Sequence, residues 1–508
     1  MSRRPATSGE VLRLVREGVA TRADLGRVTG LSRPAVAARV AELLAAGLLT
    51  ERDGGPSTGG RPPARLEFAA TGGAVLVANL GHSRGQIAVC DLAGTVLAEA
   101  PADPPPDATP AQILPRVLDQ WTDLLTKTAI PPHHVHGAAL AIPAAVNSGP
   151  PPNEPPVTAP TGAPRPTSAQ ARHAAPASEP RTNPDKRRGT TPTSDATLGA
   201  GALVSAGGTG TNPGGPPGTA PTGDAAFGGG ALVSGGEHVS SADRVPGSGF
   251  GAEQGGGVGV PGVRGGDPGF GWVVGDVAAA VRERFGVVAD VENEANLAAL
   301  GEHAAGAARG ADDVLFVKVS TGIGAALIMG GRLQRGALGA AGEIGHVRVA
   351  EGGDVVCRCG GVGCLEAVAG GAALLARSPA ADLAGLAALA RGGDPAAVAL
   401  VREAGRRIGT VVADAVNLLN PSLVVLGGDL TAAAEPLLAG VRAAVYERAT
   451  AVATSRLRIE PSRLGDAAGL RGAAALALRR VLSPDAVDAA LSAPRSGKSH
   501  STNAAPED

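Results

Sequence analysis

The stretch that most restricts the fold of this chain is GEIGHVRVAEGGDVVCRCGGVGCLE, residues 342–366. It holds three of the four cysteines, Cys357, Cys359 and Cys364, in a C-x-C-x4-C arrangement, with His346 upstream. Three thiolates and one imidazole make a complete tetrahedral donor set for a structural zinc ion. Closely spaced sulfurs converge on one ion only if the backbone reverses tightly between them, which Gly360, Gly361 and Gly363 permit. The alternative, reduced thiols beside a solvent-facing histidine, gives no reason for the clustering in so cysteine-poor a chain. A zinc here would hold the GEIGH turn and the cysteine loop in register.

Cysteines that are few and gathered as ligands suit a reducing cytoplasm rather than a disulfide scaffold. No apolar run reaches the length of a membrane span, and the start, MSRRPATSGE, lacks a signal-peptide core. A length of 508 residues allows two or three domains. Net charge is −2, so overall charge points to no partner, but it is unevenly spread. Residues 1–68 hold eleven Arg against seven Asp and Glu, a basic bias that suits nucleic acid.

Residues 1–68 read as a winged helix-turn-helix DNA-binding domain. Ser8 can cap a first helix with Val11, Leu12, Leu14 and Val15 on its apolar face. Thr21 opens a second with Asp24 three residues on, Gly30 makes the turn, and Ser32 caps a third with Pro34 in its first turn. Residues 48–52 and 65–68 read as strands around a glycine-rich wing. In such a module the N-terminal residues of the third helix reach the major groove, which places Ser32, Arg33, Ala35 and Arg39 near DNA. Arg61 on the wing is placed to reach a minor groove or a flanking phosphate. A two-fold dimer reading a palindromic operator follows from that geometry.

From residue 149 to 267 the composition turns to Pro, Gly, Ala, Ser and Thr, and GALVS occurs at both 201 and 230. Such a segment buries too little apolar surface to offset its chain entropy, and the expectation is a disordered insertion. A disordered tail is expected at 483–508. Cys90, alone, reads as a small buried apolar residue, and His133, His134 and His136 as a surface loop.

The motifs of residues 319–366, VSTGIGAALIMGGRLQRGALGAAGEIGH followed by CRCGGVGC and LE, resemble the signature region of the ROK family (repressors, open reading frames and sugar kinases). The resemblance covers most of residues 72–482. It implies an α/β, two-lobed actin-like sugar-kinase fold behind the winged head. Residues 72–148 and 268–290, with a closing helix at 466–482, would form the small lobe; residues 291–465 would form the large lobe, with the sugar and zinc sites. AALAIPAAV at 138 is the preferred match to a family strand-turn, over GVGVPGV at 257.

The resemblance also assigns residues. Asn293, Glu343, His346 and Glu366 match positions that hydrogen-bond sugar hydroxyls, and Glu294 stands at the general-base position, where the family has Asp. Gly81 and Ser83, Thr321, Gly322 and Gly324, and Gly427 and Gly428 are phosphate-loop remnants. In the first of these loops Asn79 and His82 replace the acid and the second glycine of a D-x-G-G-T pattern, which speaks against ATP and magnesium. One extra methylene at Glu294 moves the carboxylate by about an ångström, and such misplacement costs on the order of 100-fold in rate. The expectation is a sugar-responsive regulator, a repressor by family habit, with operator DNA, a sugar or sugar-derivative effector and a second copy of itself as partners. The alternative is an ATP-dependent sugar kinase carrying an added DNA-binding domain.

Overall fold

The computed structural model describes residues 6–52, 64–81, 84–103, 108–143 and 274–493. All of them fall in one compact unit, Met1–Glu154 together with Gly259–Asp508. The expected insertion, the wing with Arg61, and His82 and Ser83 lie outside the described residues.

Helices α1 (Ser8–Arg16), α2 (Arg22–Thr29) and α3 (Arg33–Ala45) precede an antiparallel pair, β1 (Leu49–Arg52) and β2 (Arg65–Phe68). The cap of α1 is Thr7, not Ser8: its hydroxyl accepts from Glu10 N at 3.2 Å, and the Glu10 carboxylate accepts from Thr7 N at 3.0 Å. This reciprocal box satisfies two otherwise orphaned N–H groups. Thr21 caps α2 through Asp24 N at 3.1 Å, and Gly30, at φ +73°, ends it in the left-handed region that favours glycine. Ser32 caps α3. Val11, Leu12, Leu25, Val36, Val40, Leu43, Leu49 and Leu66 close the core of the head.

A single turn, Ala70–Gly72, leads into the body. There β3 (Ala74–Leu80), β4 (Gly85–Asp91) and β5 (Val96–Pro101) form an antiparallel meander. After α4 (Pro110–Lys127), β6 (Val135–Ile142) pairs parallel to β3, so AALAI at 138 is a strand; GVGVPGV at 257 lies outside the described residues. Beyond the undescribed stretch come α5 (Val274–Phe285) and β7 (Ala289–Asn293), which completes a sheet ordered β5-β4-β3-β6-β7. One face of this sheet is covered by α4 and α5, with Trp121 Nε1 donating to Val77 O at 3.1 Å.

The second sheet follows α6 (Glu294–Ala305). It comprises β8 (Val314–Val319), β9 (Ile323–Met329) and β10 (Arg332–Gln334) and, after α7 (Leu365–Ala369), α8 (Gly371–Leu375), α9 (Leu383–Arg391) and α10 (Pro395–Leu419), strand β11 (Leu423–Gly427). Helices α11 (Ala434–Arg448) and α12 (Ala451–Thr454) then lead to β12 (Arg458–Pro461), giving the order β10-β9-β8-β11-β12. The apolar faces of α9, α10 and α11 cover one side of it. No single described helix is long and apolar enough to cross a membrane.

Two helices lie between the sheets. Leu297 and Leu300 of α6 and Leu470 and Ala473 of α13 (Ala467–Val481) pack on the first sheet. Ala298, Ala299 and Ala468 of the same pair pack on the second. The helices approach so closely that a Cβ on Gly301 or on Gly472 would overlap the other's backbone. The disordered tail expected from 483 is corrected in its first part by α14 (Pro484–Ser492), capped by Ser483. Its Val487 is buried with Val11, Leu12 and Val15 of α1, so its apolar partners sit at the other end of the chain.

Candidate functional site

Between the two sheets lies a cleft of about 790 Å³, lined from both. It brings together all five residues expected to meet a sugar, Asn293, Glu294, Glu343, His346 and Glu366. Gly81, Thr321, Gly322, Gly324 and Gly428 of the phosphate-loop remnants line it too. Gly427 sits at the end of β11 just behind. Asn79, next to last in β3, lies against the closing helix, where any Cβ on Gly469 would overlap its amide.

The strand-to-helix junction of β7 and α6 sets the centre of the cleft. Asn293 Oδ1 caps α6, accepting from Ala295 N at 2.7 Å and Asn296 N at 3.4 Å. Glu294, the first residue of the helix, is bound by Lys318, with Nζ to Oε2 at 2.7 Å. Both side chains are largely buried, at 20% and 16% exposure, so this is not a screened surface pair. Behind them Glu292 accepts from Asn296 Nδ2 at 2.9 Å and Arg335 Nε at 2.6 Å, tying the loop after β10 to the junction.

Glu366 lines the cleft with both oxygens engaged inside the protein. Oε2 accepts from Ile323 N at 2.9 Å, and Oε1 from Arg358 Nη2 at 3.2 Å. A side chain on Gly322 would collide with this carboxylate, so the Thr321–Gly324 turn closes directly on Glu366. At the opposite end Arg84 stands 3.5 Å from Asp429 and 3.7 Å from Asp466.

The cysteine loop folds back through an antiparallel bridge between Val356 and Val362, with Gly360 and Gly363 at positive φ. His346 Nδ1 lies 3.7 Å from Cys357 Sγ, and Cys359 Sγ lies 3.8 Å from Cys364 Sγ. All four donor atoms fall within 4.8 Å of one another, a group that can hold a metal ion. Burial and the neighbouring sulfurs push the Cys364 thiol up to about 12. The other ring nitrogen of His346, Nε2, is 3.8 Å from Glu343 Oε2 on the cleft side. Cys90 is fully buried in the first sheet, and His133 and His134 sit on an exposed turn, but His136 belongs to strand β6 and not to that loop.

On the head, Ser32 and Arg33 are exposed at the start of α3, and Ala35 is half-buried. Arg39 is turned partly inward, with Nη1 3.7 Å from Glu42, which also accepts from Ser8 Oγ at 2.5 Å. Lys318, Arg358 and Arg84 were not singled out from the sequence. Lys318 carried a signal, a charged residue inside the apolar run VLFVKV. Arg358 lies between two of the clustered cysteines, and Arg84 in a loop.

The ROK family model matches residues 267–480. A glucokinase of Streptomyces coelicolor is 34% identical over 234 residues, covering 41% of this chain and 73% of that enzyme. This chain belongs to the ROK family. Other relatives carry the names of regulators: the DNA-binding transcriptional dual regulator NagC of Escherichia coli K12 (33% identity, 40% of this chain) and the xylose repressor of Caldicellulosiruptor bescii (30%, 45%). The matched parts span 53% and 63% of their lengths. A crystal structure of a ROK transcriptional regulator, a homolog of the E. coli MLC protein, has the same fold. It superposes with a TM-score of 0.61 at 20% identity, covering 95% of this chain and 98% of that one. ROK membership sets the mixed α/β, sugar-kinase-like fold and leaves the choice between regulator and kinase to the site.

Proposed function

We propose that this ROK chain is a sugar-responsive transcriptional regulator, acting as a repressor. The observation that carries the reading is the continuity of the head with the cleft. The core of the three-helix head contains Leu482 and Val487 and packs Leu478 and Val481, and the helix that supplies Leu478 and Val481 begins at the cleft beside Asn79. A ligand that binds one arrangement of the two sheets better than another therefore changes how the head is held, and with it operator affinity. Head geometry and the arginines of α3 suit a homodimer on a palindromic operator, with Ser32, Arg33, Ala35, Arg39 and Arg61 toward DNA.

Asn293, Glu343, His346 and Glu366 present amide, imidazole and carboxylate groups suited to sugar hydroxyls. The metal is a structural zinc on His346, Cys357, Cys359 and Cys364. The observed 3.7 and 3.8 Å donor spacings are close to the edges of a tetrahedron with zinc–sulfur bonds of about 2.3 Å. Zinc would cross-link the GEIGH turn to the cysteine loop, and His346 would share its two ring nitrogens between metal and cleft. The site of action is the cytoplasm.

A kinase is the second reading, favoured by the Streptomyces glucokinase match and by a carboxylate at position 294. A general base must be able to take a proton from the attacking hydroxyl. Glu294 is instead held by an ammonium group, and Asn79 offers no charge to magnesium. The test is operator binding by gel shift with and without glucose, xylose and N-acetylglucosamine, with ADP release measured in parallel in ATP and magnesium. A sugar that alters DNA binding without ADP release supports the regulator; sugar-dependent ADP release makes the protein a kinase.

A further inference from the structure

We propose that the cleft selects uncharged sugars and rejects their phosphate esters, and that the Lys318–Glu294 pair is the specificity-determining element. This rests on reading the cleft as a sugar site and deepens it to a ligand class.

Three cations stand among the described residues lining the cleft, and each faces acid. Lys318 Nζ is 2.7 Å from Glu294, Arg358 Nη2 is 3.2 Å from Glu366, and Arg84 lies between Asp429 at 3.5 Å and Asp466 at 3.7 Å. Asp103 and Glu343 bring the lining carboxylates to six against those three cations. A phosphate monoester carries roughly −1.5 to −2 at neutral pH and is held by cations or by clustered N–H donors. To give Lys318 to a phosphate, the protein would leave Glu294 largely buried, stripped of its counter-charge and close to a second anion. Of the backbone N–H groups nearby, Ala295 N and Asn296 N at the start of α6 are already bonded to Asn293 Oδ1, and Ile323 N in the Thr321–Gly324 turn is bonded to Glu366 Oε2.

A hydroxyl group meets the opposite situation. It donates and accepts, so it can bridge the spare donors of an ammonium and the spare lone pairs of a carboxylate without separating the pair. Glu294 and Lys318 face the cleft beside Asn293, and their exclusion of phosphate acts where a hydroxyl of the sugar would sit.

The experiment is calorimetric titration of the full-length protein with glucose, N-acetylglucosamine and xylose, and with glucose 6-phosphate and N-acetylglucosamine 6-phosphate. The wild type is expected to bind a neutral sugar at least tenfold more tightly than its ester. Glu294→Gln keeps the side-chain shape and frees Lys318, and is expected to shift that ratio at least fivefold toward the ester. Lys318→Gln, carrying no ammonium, is expected to show no such shift. An ester that binds the wild type as well as its parent sugar overturns the proposal while sugar sensing stands, and so does an unchanged ratio in a Glu294→Gln protein that melts like wild type. If no sugar and no ester binds, the sugar reading itself falls, and this inference with it.

Discussion

The backbone N–H of Gly9 donates to Asp488 Oδ1 at 2.8 Å, across 479 positions of sequence. That bond fastens the first helix of the head to α14. A Cβ on Gly9 would overlap the backbone of Pro484, so the two helices touch without an intervening side chain. The head is thus held both by its linker and by the C-terminal helix. Asp488→Ala removes one hydrogen bond to a charged group, worth about 1.5–3 kcal/mol. Its expected effect is faster proteolysis between head and body and a weaker influence of sugar on operator binding, with the affinity for sugar unchanged. Protease protection equal to wild type would show that α14 does not hold the head.

Gly9→Ala gives a sign test of the same contact. In an exposed helix the change stabilises by up to about 1 kcal/mol. Against Pro484 the added methyl must displace α14, and overpacking of this kind costs about 1–3 kcal/mol. Thermal unfolding should show destabilisation in the full chain and stabilisation in a chain ending at 482. The same sign in both would mean that α14 yields freely.

The proposed zinc on the cluster of His346, Cys357, Cys359 and Cys364 predicts a graded pattern of thiol reactivity. With metal bound, none of the four cysteines should react quickly with a thiol reagent. After chelation Cys357, Cys359 and Cys364 should react, while Cys90, fully buried, waits for unfolding. The same chelation should lower the melting temperature, because the loop then loses its cross-link. Cys357→Ser should do likewise without chelator. Three thiols reactive before chelation would argue against a bound metal.

The helices of the head and the gathering of His346 with the three cysteines are the more legible parts, because their causes are local. Thr21, Gly30 and Ser32 punctuate helices through neighbours within a few residues, and the close spacing of the three cysteines in sequence already limits how far apart their sulfurs can lie. The cap of α1 slipped by one residue because Thr7 and Ser8 carry the same hydroxyl chemistry, and Glu10, three after Thr7, decides between them. Helix α14 is not legible as part of the fold because the residues that bury its Val487, Val11, Leu12 and Val15 of α1, stand at the other end of the sequence. The partner of Lys318 was invisible for a similar reason. The charge inside β8 could be seen, but only the packing of α6 between the sheets brings Glu294 to it.

Alkaline stability should carry the mark of Cys90. Burial, with Asp91 as a lesser cause, pushes this thiol from about 9 up to about 12. The folded pKa is raised, so the unfolded chain loses its proton first as pH climbs. The contribution to stability is complete below pH 9 and falls away from there toward 12, by about 1.4 kcal/mol per pH unit at most. Cys90→Ala should start less stable, by the lost packing, and lose less between pH 9 and 11 in denaturant titrations. Parallel curves for the two proteins would mean that the thiol ionises as easily folded as unfolded.

The arginines of α3 should prove unequal on DNA. Arg33 is exposed at the start of the helix, next to the Ser32 cap, where the N-terminus of a recognition helix meets the groove. Arg39 is half-buried and faces Glu42, which the Ser8 hydroxyl also engages, so moving it to a phosphate means giving up that arrangement. Arg33→Ala is therefore expected to weaken operator binding more than Arg39→Ala. If Arg33 reads a base, the loss is about 1–3 kcal/mol and specificity relaxes at one position; if it neutralises a phosphate, the loss is uniform across sequences. In the second case the slope of log affinity against log salt becomes shallower by about one, from release of one fewer counterion. Gel shifts across a salt series, on the operator and on a scrambled duplex, separate the two. A greater loss from Arg39→Ala than from Arg33→Ala would mean that Arg39 leaves Glu42 on binding and that α3 docks along its length rather than by its tip.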